Sequence, residues 1–217
     1  MTTRIIIARH GNNFTKEQTP LRVGARTDLP LVETERGTNI GKYLKMRTLI
    51  PAVVFAAPLK RTTETARLAI AALDKDIPLV VDSRFTEIDY GPDEGKPETE
   101  VVARVGQEAM DAWEREAIVP AGWNVSVDAI IKAWKDFAAE VERDYKDKTV
   151  MVVSSNGIIR FAPHLTGNFK KFSEEFDIKV GTGGVCILEK EDGDAYWTVK
   201  EWGIKPKDKL TDAVKSH

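Results

Sequence analysis

Short, continuous apolar runs recur along the chain and are separated by longer stretches of mixed polarity. Four runs stand out, at residues 5–7, in "PAVVFAAP" (51–58), in "IPLVV" (77–81) and in "TVMVVSS" (149–155). An apolar run without polar alternation is typical of a strand that is covered on both faces in a parallel sheet. The pattern therefore predicts four buried parallel strands.

The stretches between these runs carry apolar residues at helical spacing. Residues 37–49 and 60–73 are predicted to be crossover helices between the strands. The clearest stripe lies in 126–145 and consists of Ile130, Ala133, Trp134, Phe137, Ala138, Val141 and Tyr145. Such a stripe indicates a helix that packs on the core rather than a cofactor site. Together the elements predict an α/β protein with a mostly parallel central sheet and helices on both faces.

The C-terminal part of the chain has a different pattern. The stretch "GGVCILEKEDGDAYWTVKEW" predicts a β-hairpin that turns at Asp192 and Gly193, since Asp-Gly is a preferred hairpin turn. The hairpin explains the acidic turn better than a calcium site does. After Gly203, "IKPKDKLTDAVKSH" is predicted to be a solvated tail.

Length and charge limit the classes of protein to consider. The chain has 217 residues, of which 42% are hydrophobic, and this favours one globular domain over 1–217. The formal net charge is −2 and the two signs are interspersed, so no long-range field would attract nucleic acid or an anionic membrane. We expect neither as a partner.

The single cysteine and the N-terminus bear on the cellular location. Cys186 is the only cysteine, which excludes an intramolecular disulfide and a cysteine-based metal site and fits a reducing compartment. The N-terminal apolar stretch ends at Arg9 and is too short for a signal peptide or a membrane span. We therefore expect a cytoplasmic protein. The sequence leaves the oligomeric state open, with a homodimer as one option.

Residues with functional chemistry follow each of the four predicted strands. In a parallel α/β sheet, ligands bind in the crevice at the carboxyl ends of the strands. The residues found there, in strand order, are Arg9, His10 and Gly11, then Arg61, then Glu87, and finally Ser155 and Asn156. Two arginines, one histidine and one carboxylate are thus expected at one edge of the sheet.

This set of side chains favours phosphate chemistry. The guanidinium groups of Arg9 and Arg61 can each grip phosphate oxygens with two parallel hydrogen bonds. Neutral His10 can attack phosphorus, and Glu87 can give a proton to the leaving alkoxide. Each residue also has a plainer interpretation taken alone. Glu87, for example, could form an ion pair with Arg84 or Lys96.

Five segments, in order, resemble the motifs of a known family. The segments are "ARHGNNF", "VGARTDLPLVETERG", "AAPLKRTTETA", "FTEIDYGPDEGK" and "VVSSNGIIR". They are similar to the Arg-His-Gly signature and the four following motifs of the histidine phosphatase superfamily, in its phosphoglycerate mutase-like branch. The resemblance implies a phosphoglycerate mutase-like fold. It also implies that His10 is the phosphorylated nucleophile, that Arg9 and Arg61 hold the phosphate, and that Glu87 is the proton donor.

The chain departs from the family pattern near the expected site. Ser155 stands where the family usually has a second histidine, Asn156 where it has glycine, and Asn13 where Thr or Ser is common. The other histidines are His164, predicted to be a packed or surface residue, and His217 in the polar tail. Ser155, Asn156 and Asn13 can each donate a hydrogen bond to phosphate, so we expect an atypical but working enzyme.

These observations predict a phosphatase that hydrolyses a small phosphomonoester through a phosphohistidine intermediate, without metal or cofactor. A phosphoglycerate mutase-type phosphotransferase and a non-catalytic binder of a phosphorylated ligand are the alternatives. Residues 92–125 form a candidate cap insertion. Within it, Trp113 is predicted to pack its own helix, while the roles of Trp123, Lys96 and Arg104 stay open.

Overall fold

A six-stranded sheet forms the centre of the protein in the computed structural model, which describes residues 1–215; His217 lies outside them. The strand order is β3-β2-β4-β1-β5-β6. The strands are β1 (Thr2–Arg9), β2 (Val53–Ala56), β3 (Leu79–Val81), β4 (Thr149–Ser154), β5 (Val185–Glu191) and β6 (Thr198–Ile204). The first four are parallel, and the hairpin of β5 and β6 adds two antiparallel strands. The predicted mostly parallel sheet and C-terminal hairpin are confirmed.

One of the four predicted strands is not buried. Strand β3 lies at the edge of the sheet and pairs only with β2. Val80 and Val81 are 40% and 55% exposed. The prediction that this apolar run is covered on both faces is therefore wrong, because the edge of the sheet is open to solvent there.

Helices cover both faces of the sheet. They are α1 (Glu35–Met46), α2 (Lys60–Leu73), α3 (Glu98–Val105), α4 (Gln107–Glu116), α5 (Val127–Asp144), α6 (Asn156–Ile159), α7 (Phe169–Glu175) and α8 (Pro206–Lys215). Three 3₁₀ turns span Ser83–Phe85, Gly91–Asp93 and Ala162–Thr166. Within residues 1–215, none of the helices has the length and apolar character needed to cross a membrane.

Alternate residues of the central strand serve two separate cores. Ile5 and Ile7 pack into the core under α5, whereas Ile6 and Ala8 pack into the core under α1 and α2. This two-residue alternation is what a strand covered on both faces requires. The apolar stripe of α5 lies in the first core, where the Phe137 ring meets the Phe55 ring edge-on at 5.1 Å. The predicted packing helix is confirmed.

The predicted solvated tail is instead a helix. Helix α8 begins at Pro206 and packs against α1, where Lys207 forms an ion pair with Glu35 at 3.0 Å. Proline at the first helical position and Asp208 in the first turn are both signals for a helix start. The high charge of the segment predicts a tail, but its helix-start signals and its packing against α1 produce a helix.

The segment 92–125 carries α3 and α4, and its aromatic residues are core residues. Trp113 is buried and meets the buried Trp123 edge-on at 5.1 Å. Trp113 is thus a packing residue, as predicted, and it also lines the cavity at the carboxyl ends of the strands. The Trp123 Nε1–H donates to Asp93 at 2.7 Å, and Arg104 donates to the same carboxylate. Trp123 and Arg104 therefore serve the packing of this segment.

Candidate active site

The carboxyl ends of the parallel strands border a cavity of about 690 Å³. Four of the predicted residues line it together: Arg9, His10, Glu87 and Asn156. Asn13 lines it as well. Two further predicted residues, Arg61 and Ser155, are fully buried beside this group and are not among the lining residues. The structure thus brings the predicted residues together: five of them line the cavity, and Arg61 and Ser155 lie buried behind them.

His10 is held as a neutral imidazole. Its Nδ1 lies 2.7 Å from the Gly11 carbonyl oxygen, which can only accept, so the ring proton is assigned to Nδ1 and the lone pair to Nε2. Burial, followed by the charges of Arg9 and Arg61, holds the pKa of His10 well below its usual value of 6.5. A neutral ring with a free Nε2 lone pair is the form of histidine that acts as a nucleophile.

Helix α2 fixes the loop that follows His10. The Gly11 N–H donates to the Thr65 hydroxyl at 3.0 Å, and that hydroxyl donates to the Arg61 carbonyl at 2.7 Å. The His10 N–H donates to the Ser154 carbonyl at 3.1 Å. The backbone around His10 is therefore tied to β4 on one side and to the first turn of α2 on the other.

Arg61 is a fully buried cation and Arg9 a half-buried one, and the hydrogen-bond partners of both are neutral. Arg9 Nη1 donates to the Val180 carbonyl at 2.5 Å, and its Nε is buried without a hydrogen-bond partner within residues 1–215. Arg61 donates through Nη1 to the Thr27 carbonyl at 2.8 Å and through Nη2 to the Gly24 carbonyl at 3.2 Å. Burial lowers the pKa of both guanidinium groups, because their charge is poorly compensated. An anion in the cavity would supply that compensation.

Glu87 faces the same cavity and is only 6% exposed. Its Oε1 accepts from the Ile88 N–H at 2.9 Å. Its Oε2 accepts from the Gly157 N–H and the Tyr90 hydroxyl, both at 3.3 Å. The suggested ion pairs of Glu87 are not formed, because Arg84 binds Asp82 and Glu140 while Lys96 binds Glu100. The carboxyl group is thus fixed in direction by neutral donors.

The three residues at the positions that depart from the family pattern make different contacts. The Ser155 hydroxyl oxygen accepts from Arg61 Nε at 3.4 Å. The Asn156 Oδ1 accepts from the Val180 N–H at 2.9 Å. The Asn13 Nδ2 donates to the backbone carbonyls of Leu29 and Pro30, at 3.3 and 2.8 Å. Their expected donation to phosphate stays a prediction, and for Asn13 it would require the amide to leave these carbonyls.

The remaining described histidine lies outside the cavity. The ring of His164 stacks on the ring of Phe169, with centroids 4.4 Å apart and planes 5° from parallel. His164 is half-buried and is absent from the cavity lining. It is a packing residue, as predicted.

Sequence reasoning missed a third arginine at the site, Arg160, which is buried in the cavity wall. Arg160 is 2% exposed and lies 3.7 Å from the centroid of the Trp113 ring. It donates to the Trp113 carbonyl and, at 3.3 Å, to the Asn156 carbonyl. Its nearest ion-pair contact is Glu114 at 4.0 Å, and Glu114 is itself paired with Lys179 at 3.0 Å. The signal was its place one helical turn after Asn156, at the strand end that carries the other site residues.

Within residues 1–215, no three His, Cys, Asp or Glu side chains are grouped so that they could hold a metal ion.

Comparison with known families identifies the chain. The family model described as histidine phosphatase superfamily (branch 1) matches residues 5–205. The chain belongs to this superfamily. The predicted family and the phosphoglycerate mutase-like architecture are confirmed.

Curated relatives of this superfamily member include mutases. The chain is 33% identical to the 2,3-bisphosphoglycerate-dependent phosphoglycerate mutase of Bifidobacterium longum (strain DJO10A) over 124 residues, which cover 55% of this chain and 49% of the relative. It is 26% identical to the 2,3-bisphosphoglycerate-dependent phosphoglycerate mutase 2 of Gloeobacter violaceus over 156 residues, which cover 70% of each chain. The chain thus spans about half the length of the first of these relatives.

Solved structures with the same fold include both mutases and phosphatases. A phosphoglycerate mutase from Bacillus anthracis str. Sterne superimposes with a TM-score of 0.76 at 22% identity, covering 95% of this chain and 97% of the other. A mycobacterial glucosyl-3-phosphoglycerate phosphatase gives a TM-score of 0.72 at 20% identity, covering 94% and 99%. At these identities the similarity establishes the fold alone.

Proposed function

We propose that this protein is a phosphatase that hydrolyses a small phosphomonoester through a phosphohistidine intermediate. One observation carries the proposal: a neutral His10 with a free Nε2 lines the same cavity as Glu87, beside Arg9 and Arg61, whose hydrogen-bond partners are neutral. A nucleophile, a proton donor and a phosphate-binding group are the three parts that this reaction needs.

The first half of the proposed reaction transfers the phosphoryl group to His10. Arg9 and Arg61 neutralise the phosphate charge, so that the Nε2 lone pair can approach phosphorus. The N–P bond forms as the bond to the ester oxygen breaks, and protonated Glu87 gives its proton to that oxygen. The alcohol then leaves. The Nδ1–H bond to the Gly11 carbonyl keeps the ring in place and stabilises the positive charge that develops on it.

The second half returns the enzyme to its starting state. A water molecule attacks phosphorus, and the Glu87 carboxylate takes its proton. The N–P bond breaks, inorganic phosphate forms, and His10 is again neutral. Glu87 thus acts as acid in the first step and as base in the second, which its fixed position in the wall of the cavity supports.

A phosphotransferase is the second candidate, because the curated relatives include phosphoglycerate mutases. A mutase would pass the phosphoryl group from His10 back to an organic acceptor instead of to water, and would need a phosphorylated primer. A non-catalytic binder of a phosphorylated ligand is less well supported, since binding alone would not require His10 to present an imidazole lone pair next to Glu87.

The test is hydrolysis of nitrophenyl phosphate by the purified protein in the presence of a chelator. We expect phosphate release that His10→Ala eliminates and that His164→Ala, the matched control outside the cavity, leaves intact. A rate that is lost with the chelator would contradict metal independence, and a rate indifferent to His10 would contradict the mechanism. Transfer of phosphate from a labelled donor to an organic acceptor, in preference to water, would favour the mutase.

A further inference from the structure

A backbone turn at residues 24–27 holds the guanidinium group of Arg61. Arg61 Nη1 donates to the Thr27 carbonyl at 2.8 Å, and Nη2 donates to the Gly24 carbonyl at 3.2 Å. Two bonds from two different nitrogens fix both the position and the plane of a guanidinium group. The orientation of Arg61 therefore depends on the placement of this turn.

The carboxylate of Glu94 supports the turn from the other side. Its Oε1 accepts from the Arg26 N–H at 2.7 Å and from the Thr27 hydroxyl at 2.8 Å. Its Oε2 lies so close to Gly24 that a Cβ there would be 2.7 Å away. The side chain of Glu94 is 5% exposed. A buried carboxylate thus contacts three of the four residues of the turn, Gly24, Arg26 and Thr27.

Burying the Glu94 carboxylate costs free energy that its hydrogen bonds offset only in part. Its Oε2 has no hydrogen-bond partner within residues 1–215 and only a 3.4 Å ion-pair contact with Arg26. An unsatisfied buried carboxylate oxygen destabilises a fold, so stability alone does not explain the arrangement.

The same segment that ends in Glu94 begins with Glu87. The Ala25 N–H donates to the Ile88 carbonyl at 3.0 Å, and Arg26 Nη2 donates to the Gly91 carbonyl at 2.6 Å. The turn that holds Arg61 is therefore docked along the whole 87–94 segment. Any movement of the turn changes the position of Arg61 relative to the carboxyl group of Glu87.

We propose that Glu94 is a positioning residue, which acts through the 24–27 turn to keep Arg61 directed at the phosphate rather than at Glu87. Glu94 does not line the cavity. Without the turn, the Arg61 guanidinium would lose the two carbonyls that hold it, and it would be free to turn toward Glu87, whose negative charge acts on it. Such a contact would withdraw both groups from the reaction. The inference rests on the proposed function.

A double-mutant cycle with Arg61 tests the inference, with inorganic phosphate as an inhibitory probe and nitrophenyl phosphate as substrate. We expect Glu94→Ala to raise the phosphate inhibition constant and lower kcat/KM by about tenfold, because the guanidinium loses its alignment. Glu94→Gln keeps an Oε1 acceptor for Arg26 and Thr27 and should stay within about threefold of the wild type. In an Arg61→Ala background, Glu94→Ala should have no further effect on either constant.

A control variant and a stability measurement separate a positioning role of Glu94 from a purely structural one. Glu100→Ala, an exposed glutamate of α3 paired with Lys96, is the control and should leave both constants unchanged. Effects of Glu94→Ala that are additive with Arg61→Ala, or a lower melting temperature with an unchanged phosphate inhibition constant, would overturn the inference. If Glu94→Ala does not fold, Thr27→Val removes one Glu94 contact, and its weaker phosphate binding must likewise vanish in the Arg61→Ala background. Activity that survives His10→Ala would refute the proposed function instead.

Discussion

A methyl group at position 157 should disable the proton donor. Gly157 follows Asn156 in the short helix α6, and its N–H donates to Glu87 Oε2 at 3.3 Å. A Cβ on Gly157 would lie 2.3 Å from Glu87 Oε1 and 2.9 Å from Ile88 Cγ1. Both distances are shorter than carbon and oxygen atoms tolerate. In Gly157→Ala the Glu87 carboxyl group must therefore leave its place.

The structure gives the size of two separate effects. Glu87 is buried and held by three donors, so moving it for an extra methyl group costs about 1–3 kcal/mol of folding free energy, as overpacking does elsewhere. A positioned general acid contributes roughly 10²–10⁴-fold to the rate when the leaving group needs a proton. An alkoxide needs that proton, whereas nitrophenolate leaves as a stable anion. Gly157→Ala should therefore slow an alkyl phosphate far more than an aryl phosphate.

The assay compares kcat on glycerol phosphate with kcat on nitrophenyl phosphate, alongside thermal unfolding. We expect the alkyl rate to fall by about 10²–10⁴ and the aryl rate by less than about tenfold. Glu87→Gln should show the same selectivity. Gly181→Ala is the matched control, because an added Cβ there meets no atom within 4 Å. Equal losses on both substrates, or an unchanged alkyl rate in a folded Gly157→Ala protein, would refute the acid role of Glu87.

Two further predictions concern Ser155 and the buried His10. Ser155→Ala removes the acceptor of Arg61 Nε and should weaken phosphate binding by about 0.5–1.5 kcal/mol, measured as the phosphate inhibition constant; unchanged affinity would mean that the turn alone orients Arg61. Stability should fall as the pH drops below about 6.5, because unfolded histidine binds a proton there while the pKa of buried His10 is held well below that value. The slope approaches about 1.4 kcal/mol per pH unit for one such group, and urea titrations should show a shallower slope in His10→Asn, whereas an identical slope would contradict a neutral, buried His10.

The elements that the sequence predicted are those that depend on local pattern. The continuous apolar runs predict β1, β2 and β4 correctly because these strands lie inside the sheet. A strand that is buried on both faces has apolar residues at consecutive positions. The run at 77–81 is apolar as well, but it forms the exposed edge strand β3. Which strand lies at the edge depends on pairing partners distant in sequence, and no local pattern records it.

The candidate site likewise has features that the sequence predicts and features that depend on distant parts of the chain. The strand-end rule brings His10, Glu87 and Asn156 to one cavity from three distant parts of the chain. The direction of individual polar groups was not predictable: the amide of Asn13 turns to the 29–30 backbone because that loop supplies two carbonyls. The part played by the 24–27 turn in holding Arg61 was equally hidden, since backbone carbonyls carry no sequence signal.

Three arginines near the cavity, the half-buried Arg9 and the buried Arg61 and Arg160, are held by backbone carbonyls rather than by a close carboxylate. Arg9, Arg61 and Arg160 each donate to backbone carbonyls, of Val180, Thr27 and Trp113 respectively. By contrast, Arg84 and Arg104 are held by the carboxylates of Asp82 and Asp93. A carboxylate partner both orients a guanidinium group and cancels its charge, whereas a neutral carbonyl only orients it. Burying a guanidinium group with only neutral partners costs free energy, and under the proposed function an anionic substrate would offset that cost. Ser155 fits the same distinction, because its hydroxyl oxygen contacts Arg61 Nε without neutralising the charge, which under the proposed function leaves that charge available to a phosphate group.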